Sequence, residues 1–452
     1  MEPKLNVSGP IDRIRPVCDD PSGSVQRRVL KIVVEIRDEL MQTTQDSPVL
    51  VQGDEHGYGP DPGLAHGLAG QALFLAVYAD AFSDHQAKAQ AMRLLGLCVR
   101  SLSTIPIHFG LFSGFSGVAW VAEKLRQIGG YPLSEESTGK IEETALALVC
   151  RGDWDADYDL VSGLVGIGVY LNARRPSPGV ERGIGAILQH LETLSEQGSG
   201  GRAWKRHPGI MHHEELKNFP SGYYNLGMAH GVPGVVAYLS RAYRRTKSSS
   251  TLRLLAESVR WLLGQKLPDS QTASFGWTKG PNSVPGSSRS AWCYGDPGIA
   301  LALLSAGYAA QNDQWTSAGL EIAKKAASRS FDEGGVKDAS LCHGAAGLLR
   351  MFSTIYFVTG DVEHYRAANR ALKWILQFRR SGTGLAGFRS LRADKDQQLQ
   401  WASDSSFITG IAGIGLTLLS TVHETLIAWD EPLLIDVNVN AKNQGDDVAG
   451  SG

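Results

Sequence analysis

The chain has 452 residues, of which 44 are basic and 46 acidic, and its formal net charge is −2. The two signs are mixed along the sequence and form no basic stripe of the kind that marks a nucleic-acid-binding protein. Five cysteines in a chain of this length do not suggest the disulfide framework of a small secreted protein and fit a reducing cytosol. In chain order, residues 1–24 come first. They lack the apolar core of a signal peptide, so we expect a partly disordered N-terminal extension and a cytoplasmic protein.

A short phrase of two glycines separated by two residues, followed by an apolar run, recurs seven times along the chain. Successive copies begin 47 to 68 residues apart. A phrase repeated at such distances is typical of a repeat architecture. We therefore predict a single domain over residues 25–432, followed by a flexible tail over residues 433–452. The first glycines of the phrases are Gly67, Gly114, Gly163, Gly231, Gly295, Gly344 and Gly410.

Each phrase opens a segment with helical character. Residues 71–82, after the first phrase, are apolar on nearly every side, which predicts a helix buried on most of its faces. Residues 85–102 follow with one charged face, which predicts a helix with one side in water. The pattern therefore predicts an all-α protein with seven inner apolar helices, each paired with an outer amphipathic one. The glycines either mark helix starts or let inner helices approach closely, and both fit a ring.

Three of the steps between phrases contain long loops, over residues 196–225, 268–290 and 379–400. Loops of this length inside a compact body are usually functional or disordered. The first two lead directly into the phrases of His230 and Cys293. We predict that they form walls of a binding cleft.

Two of the phrases carry cysteine, as Trp-Cys293-Tyr-Gly and Leu-Cys342-His343-Gly. If the inner helices surround a common axis, their starts lie at one end and these three side chains can converge. Two thiolates and one imidazole suit Zn²⁺, and three protein ligands leave a fourth position open, as in catalytic zinc sites. One alternative to metal binding is that these are small buried residues, since free cysteine is often part of a core. The other is a disulfide.

Other polar residues of the phrases are candidates for acid–base chemistry. His230 holds a place like that of His343, and Asp159 is placed to fix a partner imidazole in one tautomer. Arg289 is a candidate for stabilising a developing oxyanion, or it forms an ordinary surface ion pair. Tyr294 is either a wall residue or a hydrogen-bond donor. His66 lies in a phrase almost identical to that of His230, and the residues alone do not rank the two.

The phrases around Cys293, Cys342-His343 and His230, set among seven glycine-pair repeats, resemble the lanthionine synthetase C-like family. The resemblance covers nearly the whole chain. It implies an α/α toroid of seven inner and seven outer helices, with one zinc ion at one end of the central cavity. It also implies that Cys293, Cys342 and His343 are the zinc ligands.

The same resemblance implies roles for the remaining candidates and a reaction. His230, in preference to His66, matches the family's acid/base histidine, and Asp159 matches its associated aspartate. Arg289 and Tyr294 match the family's pocket residues. The implied reaction is zinc-dependent addition of peptide cysteine thiolates to dehydroalanine or dehydrobutyrine, which forms lanthionine or methyllanthionine thioether rings.

The implied partners are a dehydrated lanthipeptide precursor, a separate dehydratase and a membrane transporter complex, without nucleic acid. The separate dehydratase is expected because this chain has no room for the dehydratase or kinase domain that some relatives carry. One alternative is a relative that adds glutathione to dehydrated peptides, and another is a non-catalytic scaffold that binds glutathione or a signalling protein. A zinc-dependent prenyl transferase is a third, but it would use a carboxylate ligand in place of this Cys-Cys-His set.

Overall fold

The computed structural model describes residues 23–46, 61–103, 107–131, 135–211, 213–283, 286–393, 398–425 and 427–438. Most of these residues are helical. None of the described helices combines the length and the apolar character needed to cross a membrane. The helices are α1 (Ser24–Asp46), α2 (Leu68–Phe82), α3 (His85–Ser101), α4 (Phe115–Ile128), α5 (Glu135–Val149), α6 (Leu164–Ala173), α7 (Pro178–Leu194), α8 (His213–Asn218), α9 (Val232–Thr246), α10 (Ser249–Leu263), α11 (Asp296–Ala310), α12 (Asp313–Ser328), α13 (Phe331–Gly334), α14 (Ala345–Thr359), α15 (Val362–Phe378) and α16 (Ile411–Leu419).

Two concentric layers of helices form an all-α toroid. The inner layer consists of α2, α4, α6, α9, α11, α14 and α16, and each contacts the next around the ring, including α16 against α2. Six outer helices each follow an inner helix in the chain and pack on it. The seventh outer helix is α1, which packs against the last inner helix, α16. The two ends of the helical chain therefore meet, and the fold predicted from the repeats and the family resemblance is confirmed.

Backbone hydrogen bonds between neighbouring phrase loops run around one end of this ring. The amide of Ala65 donates to the carbonyl of Phe112 at 2.8 Å, and the amide of Phe112 donates to Val161 at 3.2 Å. On the other side, the amide of Cys342 donates to Ile408 at 2.8 Å, and the amide of Ile408 donates to Ala65 at 3.1 Å. This last bond joins the seventh repeat to the first and closes the ring.

The paired glycines serve both purposes that the sequence left open. The first glycine of each phrase is the N-cap of an inner helix; a Cβ atom at Gly231 would lie 2.2 Å from the carbonyl oxygen of Asn225. The second glycine lies in the first helical turn, and a Cβ atom at Gly70 would lie 2.5 Å from the Cβ atom of Phe407 in the neighbouring repeat. The loop before each helix can thus fold back tightly, and adjacent repeats can approach closely.

The long loops contain short antiparallel strands that the sequence patterns did not predict. One three-stranded sheet takes strands from two loops, so it joins the loop before His230 to the loop before Cys293. A separate hairpin lies in the third long loop. The strands are β1 (Glu196–Gly198) with β2 (Gly201–Ala203), β3 (Lys205–Arg206), β4 (Tyr223–Asn225) and β5 (Thr278–Lys279) in the order β3-β4-β5, and β6 (Ser390–Ala393) with β7 (Leu399–Ala402).

Residues 427–438, which we call the C-terminal segment, occupy the centre of the ring. Arg350 of α14 pairs with Asp430, and Arg241 of α9 pairs with Glu431, so the segment contacts inner helices on different sides of the ring. The expectation of a flexible tail from residue 433 differs from the structure here, because residues 433–435 are at most 2% exposed. Residues 439–452 of that tail, like residues 1–22 of the N-terminal extension, lie outside the described residues.

Candidate metal centre and active site

The phrase loops place equivalent residues of different repeats at one end of the toroid. Cys293 and Cys342 each stand two residues before the first glycine, while His343 and His230 stand one residue before it. The loops of the two cysteines adjoin, because the amide of Cys293 donates to the carbonyl of Cys342 at 3.3 Å. The register of the repeats therefore brings together side chains that are up to 113 residues apart in the chain (230 to 343).

Cys293, Cys342 and His343 form the one group of potential metal ligands found among the described residues. One ligand atom from each residue lies within 4.8 Å of the others. Both cysteines are free thiols, which argues against the disulfide alternative. Two sulfur donors and an imidazole at this spacing fit Zn²⁺, which binds thiolates at about 2.3 Å and imidazole at about 2.0 Å. The group could therefore bind a metal ion and leave one coordination position free.

The surroundings of Cys293 favour its thiolate form. A hydrogen bond from the Cys342 thiol lowers the pKa of Cys293 against the opposing effect of burial, and the charge of Arg289 lowers it further, to about 6. The Nη2 atom of Arg289 lies 3.4 Å from the sulfur of Cys293. A thiolate is the form that a metal ion binds, so this environment suits Cys293 to metal binding.

Asp338 fixes the third potential ligand. Its Oδ2 atom lies 3.5 Å from the Nε2 atom of His343, and its side chain is 1% exposed. Burial lowers the pKa of His343, but the contact with Asp338 outweighs burial and raises it overall. The Oδ1 atom of Asp338 accepts a hydrogen bond from the amide of Ser340 at 2.9 Å. A carboxylate that orients a histidine ligand in this way is common beside metal sites.

His230 and Asp159 form a close pair on a neighbouring side of the same end. The Nδ1 atom of His230 lies 2.6 Å from Oδ2 of Asp159, and the other carboxylate oxygen accepts from the amide of Ser162 at 2.7 Å. Burial raises the pKa of Asp159, but the charge of His230 and its hydrogen bond lower it overall. Burial lowers the pKa of His230, but the charge of Asp159 and this hydrogen bond raise it overall. The imidazolium form is therefore favoured, with its Nε2–H left to donate.

Tyr294 lies beside the metal group, next to Cys293 in the chain. Its hydroxyl oxygen accepts a hydrogen bond from Nδ2 of Asn225 at 3.0 Å. Burial is the main cause that raises the pKa of Tyr294, to about 12. The phenol therefore stays protonated near neutral pH and is able to donate a proton or a hydrogen bond.

Comparison with known proteins places the chain in a family. Residues 60–434 match the family model described as "Lanthionine synthetase C-like protein". The chain belongs to the lanthionine synthetase C-like family. This confirms the resemblance drawn from the glycine pairs and the cysteine and histidine phrases.

Two curated proteins are similar to this chain in sequence, and one solved structure is similar to it in fold. "Nisin biosynthesis protein NisC" of Lactococcus lactis subsp. lactis is 26% identical over 308 residues, which cover 64% of this chain and 72% of NisC. "Glutathione S-transferase LANCL1" of Danio rerio is 26% identical over 160 residues, 35% of this chain and 36% of that protein. The solved structure titled "Nisin cyclase" has a TM-score of 0.69 at 21% identity, over 91% of this chain and 98% of that one, and shows the common fold.

Two residues of the candidate site were not predicted from the sequence. Asn225 holds Tyr294 and Asp338 holds His343, and both stand six residues before the first glycine of their phrases. Arg289 stands at the same position in its own repeat. Aligning the seven phrases and extending the alignment six residues upstream would have singled out this position.

His66 also lies in a phrase loop, but its partner differs from that of His230. Its Nδ1 atom is 3.2 Å from Nη2 of Arg392, which lies on β6. Burial is the main cause that lowers the pKa of His66, and the charge of Arg392 lowers it further. The two histidines in nearly identical phrases thus have opposite charge preferences: His66 is favoured neutral and His230 is favoured protonated.

Proposed function

We propose that this chain is a zinc-dependent lanthipeptide cyclase. It adds the cysteine thiolate of a dehydrated peptide to dehydroalanine or dehydrobutyrine and so forms lanthionine or methyllanthionine rings. The observation that carries the proposal is the convergence of Cys293, Cys342 and His343 within 4.8 Å, in a chain of the lanthionine synthetase C-like family. The similarity to NisC, a nisin biosynthesis protein, supports the same reaction class.

Cys293, Cys342 and His343 would hold the zinc ion. When bound, zinc supplies acidification and positioning of the substrate thiol at its remaining coordination position. Asp338 orients the imidazole of His343, and Arg289 balances the negative charge that two protein thiolates bring to a buried place. Asp338 acts on its ligand and not on the peptide.

The addition balances without any further reactant. A bond forms between the substrate sulfur and the β-carbon as the carbon–carbon π bond breaks, and the electron pair moves onto the neighbouring carbonyl as an enolate. His230 delivers its Nε2 proton to the α-carbon, while the proton of the substrate thiol passes to solvent, and His230 then takes one proton back from solvent. Asp159 keeps His230 protonated beforehand and fixes the orientation of its ring. His66, which is favoured neutral beside Arg392, is less suited to this role.

Arg289 and Tyr294 are the proposed donors to the enolate oxygen. Arg289 contacts the sulfur of Cys293 at 3.4 Å, and Tyr294 follows Cys293 in the chain. Tyr294 is held by Asn225 and remains a neutral phenol, which donates without losing its proton. Fixed donors at the point where negative charge develops are typically worth on the order of 10²-fold to 10³-fold in rate.

We also propose where the enzyme acts, what its substrate is and which proteins act before and after it. The catalytic unit is the toroid over residues 25–432 together with residues 433–438 of the C-terminal segment, acting in the cytoplasm. Its substrate is a precursor peptide whose serines or threonines have already lost water, so a separate dehydratase must act first. A membrane transporter complex that takes the finished peptide is a further proposed partner.

One experiment tests the reaction and both site assignments. A synthetic peptide with one dehydroalanine and one cysteine, separated by two residues, is incubated with the protein and then with a maleimide to label any remaining thiol. Mass spectrometry of the wild type should show an unchanged peptide mass without maleimide label. His343→Ala should lose both bound zinc and ring closure, whereas His230→Ala should keep zinc and lose about 10²-fold or more in rate.

Adding glutathione to the same assay separates the alternative reaction. A cyclase gives the ring, whereas a glutathione-adding enzyme gives a peptide heavier by one glutathione. Full ring closure by His230→Ala would contradict the assignment of the acid. Zinc-free wild-type protein, or no product from either thiol, would contradict the proposed enzyme.

A further inference from the structure

An exposed tryptophan lies directly against the candidate active site. The side chain of Trp277 is 43% exposed, although large aromatic side chains are usually buried. Its ring packs edge-on against that of Tyr294, with centroids 6.4 Å apart and ring planes at 89°. Tyr294 in turn follows Cys293 in the chain. Trp277 therefore packs directly against a residue proposed to stabilise the enolate.

The backbone of Trp277 and of the residues shortly before it is fixed to both of the repeats that build this part of the site. On one side, the amide of Leu226 donates to the carbonyl of Trp277 at 3.0 Å, within the sheet that pairs β4 with β5. On the other side, the carboxylate of Asp296 accepts from the amides of Ser274 at 2.6 Å and Phe275 at 3.1 Å. Asp296 belongs to the glycine pair that follows Cys293. Trp277 is thus held in place although its side chain is exposed.

The side chain of Trp277 is also supported from more than one direction. Phe219 packs edge-on against it, with centroids 5.8 Å apart. Asn225 connects the same region to the site, because its backbone pairs with Thr278 while its side chain donates to Tyr294. The exposed surface of the indole is therefore a rigid apolar area continuous with the site.

We propose that Trp277 binds an apolar side chain of the peptide substrate, in the residue next to the reacting cysteine. This inference rests on the proposed cyclase function, and it assigns Trp277 as a specificity-determining residue. An indole presents a large area at little cost in conformational entropy, and burying it against an aliphatic or aromatic side chain removes apolar surface from water. A glycine or an aspartate at the same peptide position offers no such surface.

The chain offers a matched control in Trp401 on β7. Trp401 is 45% exposed, nearly the same as Trp277, and it lies on a short strand, whereas Trp277 directly precedes one. Its carbonyl oxygen accepts from Arg389 of the same hairpin. If exposed indoles bind peptides unspecifically, both tryptophans will contribute alike. If position beside Tyr294 matters, Trp277 will contribute more.

Peptide binding tests the inference directly. Fluorescently labelled peptides carry one cysteine and alanine in place of the dehydro residue, so that they bind without reacting. The residue next to the cysteine is Phe, Leu, Gly or Asp, and Kd is measured by anisotropy for the zinc-loaded protein. The wild type should bind the Phe and Leu peptides on the order of tenfold more tightly than the Gly and Asp peptides.

Trp277→Ala should lose most of that preference, Trp277→Phe should keep much of it, and Trp401→Ala should match the wild type. Zinc content and thermal unfolding of each variant show whether the fold is intact. The inference is overturned if Trp277→Ala keeps the preference, if it weakens all four peptides equally, or if Trp401→Ala has the same effect. Wild-type protein that shows the preference but never closes a ring on a dehydroalanine peptide overturns the proposed function instead.

Discussion

At the scale of single residues, the charge of the His230–Asp159 pair controls the proposed proton transfer. Asp159 is 1% exposed and its carboxylate lies 2.6 Å from His230, so each ionised form stabilises the other. The pair raises the pKa of His230 and lowers that of Asp159. Because the acid must be protonated, activity should be retained below the raised pKa of His230 and fall as pH rises through it.

Asp159→Asn tests this dependence. The amide keeps a hydrogen-bond acceptor but removes the negative charge that raises the pKa of His230. The alkaline limb of the pH–rate profile should therefore shift to lower pH, and cyclisation at neutral pH should fall by at least about tenfold. NMR titration of the His230 ring should show the same shift. An unchanged alkaline limb would mean that His230 is not the group that titrates.

Some residues of the candidate site could be predicted from the sequence and others could not, for a physical reason. Cys293, Cys342 and His343 stand beside the glycine pairs, so the repeat register was enough to bring them together. Asn225 and Asp338 act through the folded loop that precedes the glycines, where their side chains reach a residue of the same or the neighbouring repeat. Their contacts depend on the loop conformation, which residue types alone do not specify.

At the scale of elements, the glycine pairs decide whether the inner helices can start. A Cβ atom at Gly117, the second glycine of its phrase, would lie 1.9 Å from the carbonyl oxygen of Leu111 and 2.9 Å from the Cβ atom of Leu64. Both contacts are closer than real atoms allow, and one of them is with the backbone. The loop cannot move away without breaking the hydrogen bonds around the ring.

Gly117→Ala should therefore destabilise the protein by about 1–3 kcal/mol, in a repeat that carries none of the proposed site residues. The matched control is Gly185→Ala on α7, where a Cβ atom would meet nothing within 4 Å. That change should be neutral or stabilise by up to about 1 kcal/mol, because alanine favours a helix interior. Denaturant unfolding of the two variants measures the difference. Equal stabilities would contradict the steric role of the phrase glycine.

The helices could be predicted from the sequence because their patterns of apolar residues are clear. Residues 71–82 are apolar on nearly every side, and α2 is buried over almost its whole length, as predicted. The partner of the last inner helix was not predicted, because α1 and α16 lie at opposite ends of the chain and their pairing has no local signal. The short strands, such as β4 (Tyr223–Asn225), are defined by pairing with distant residues and have too few positions to show a pattern.

At the scale of the whole molecule, both ends of the described chain hold the ring together. Helix α1 completes the outer layer, and the C-terminal segment fills the centre. The carbonyl of Leu433 accepts a hydrogen bond from Nε1 of Trp292 at 2.9 Å. Trp292 directly precedes Cys293 in the chain. The centre of the toroid is therefore connected to the proposed metal ligands, and unfolding of the segment should disturb them.

Asp430 anchors this segment through a buried ion pair. Its carboxylate lies 2.5 Å from Nη2 of Arg350, and both side chains are 7% exposed. The guanidinium also lies over the ring of Trp429, 5.5 Å from its centroid. Removing one partner of such a pair leaves the other charge buried without compensation, which typically costs about 3–5 kcal/mol.

Asp430→Asn should therefore lower the free energy of unfolding by about 3 kcal/mol or more, because Arg350 keeps its charge in the centre of the ring. The control is Glu363→Gln on α15, which breaks an ion pair with Arg366 whose side chains are 48% and 62% exposed. That change should stay within about 0.5 kcal/mol. Urea unfolding measures both. If Asp430→Asn were as stable as Glu363→Gln, the C-terminal segment would not anchor the ring through this pair, and Trp429 with the buried residues 433–435 would have to hold it alone.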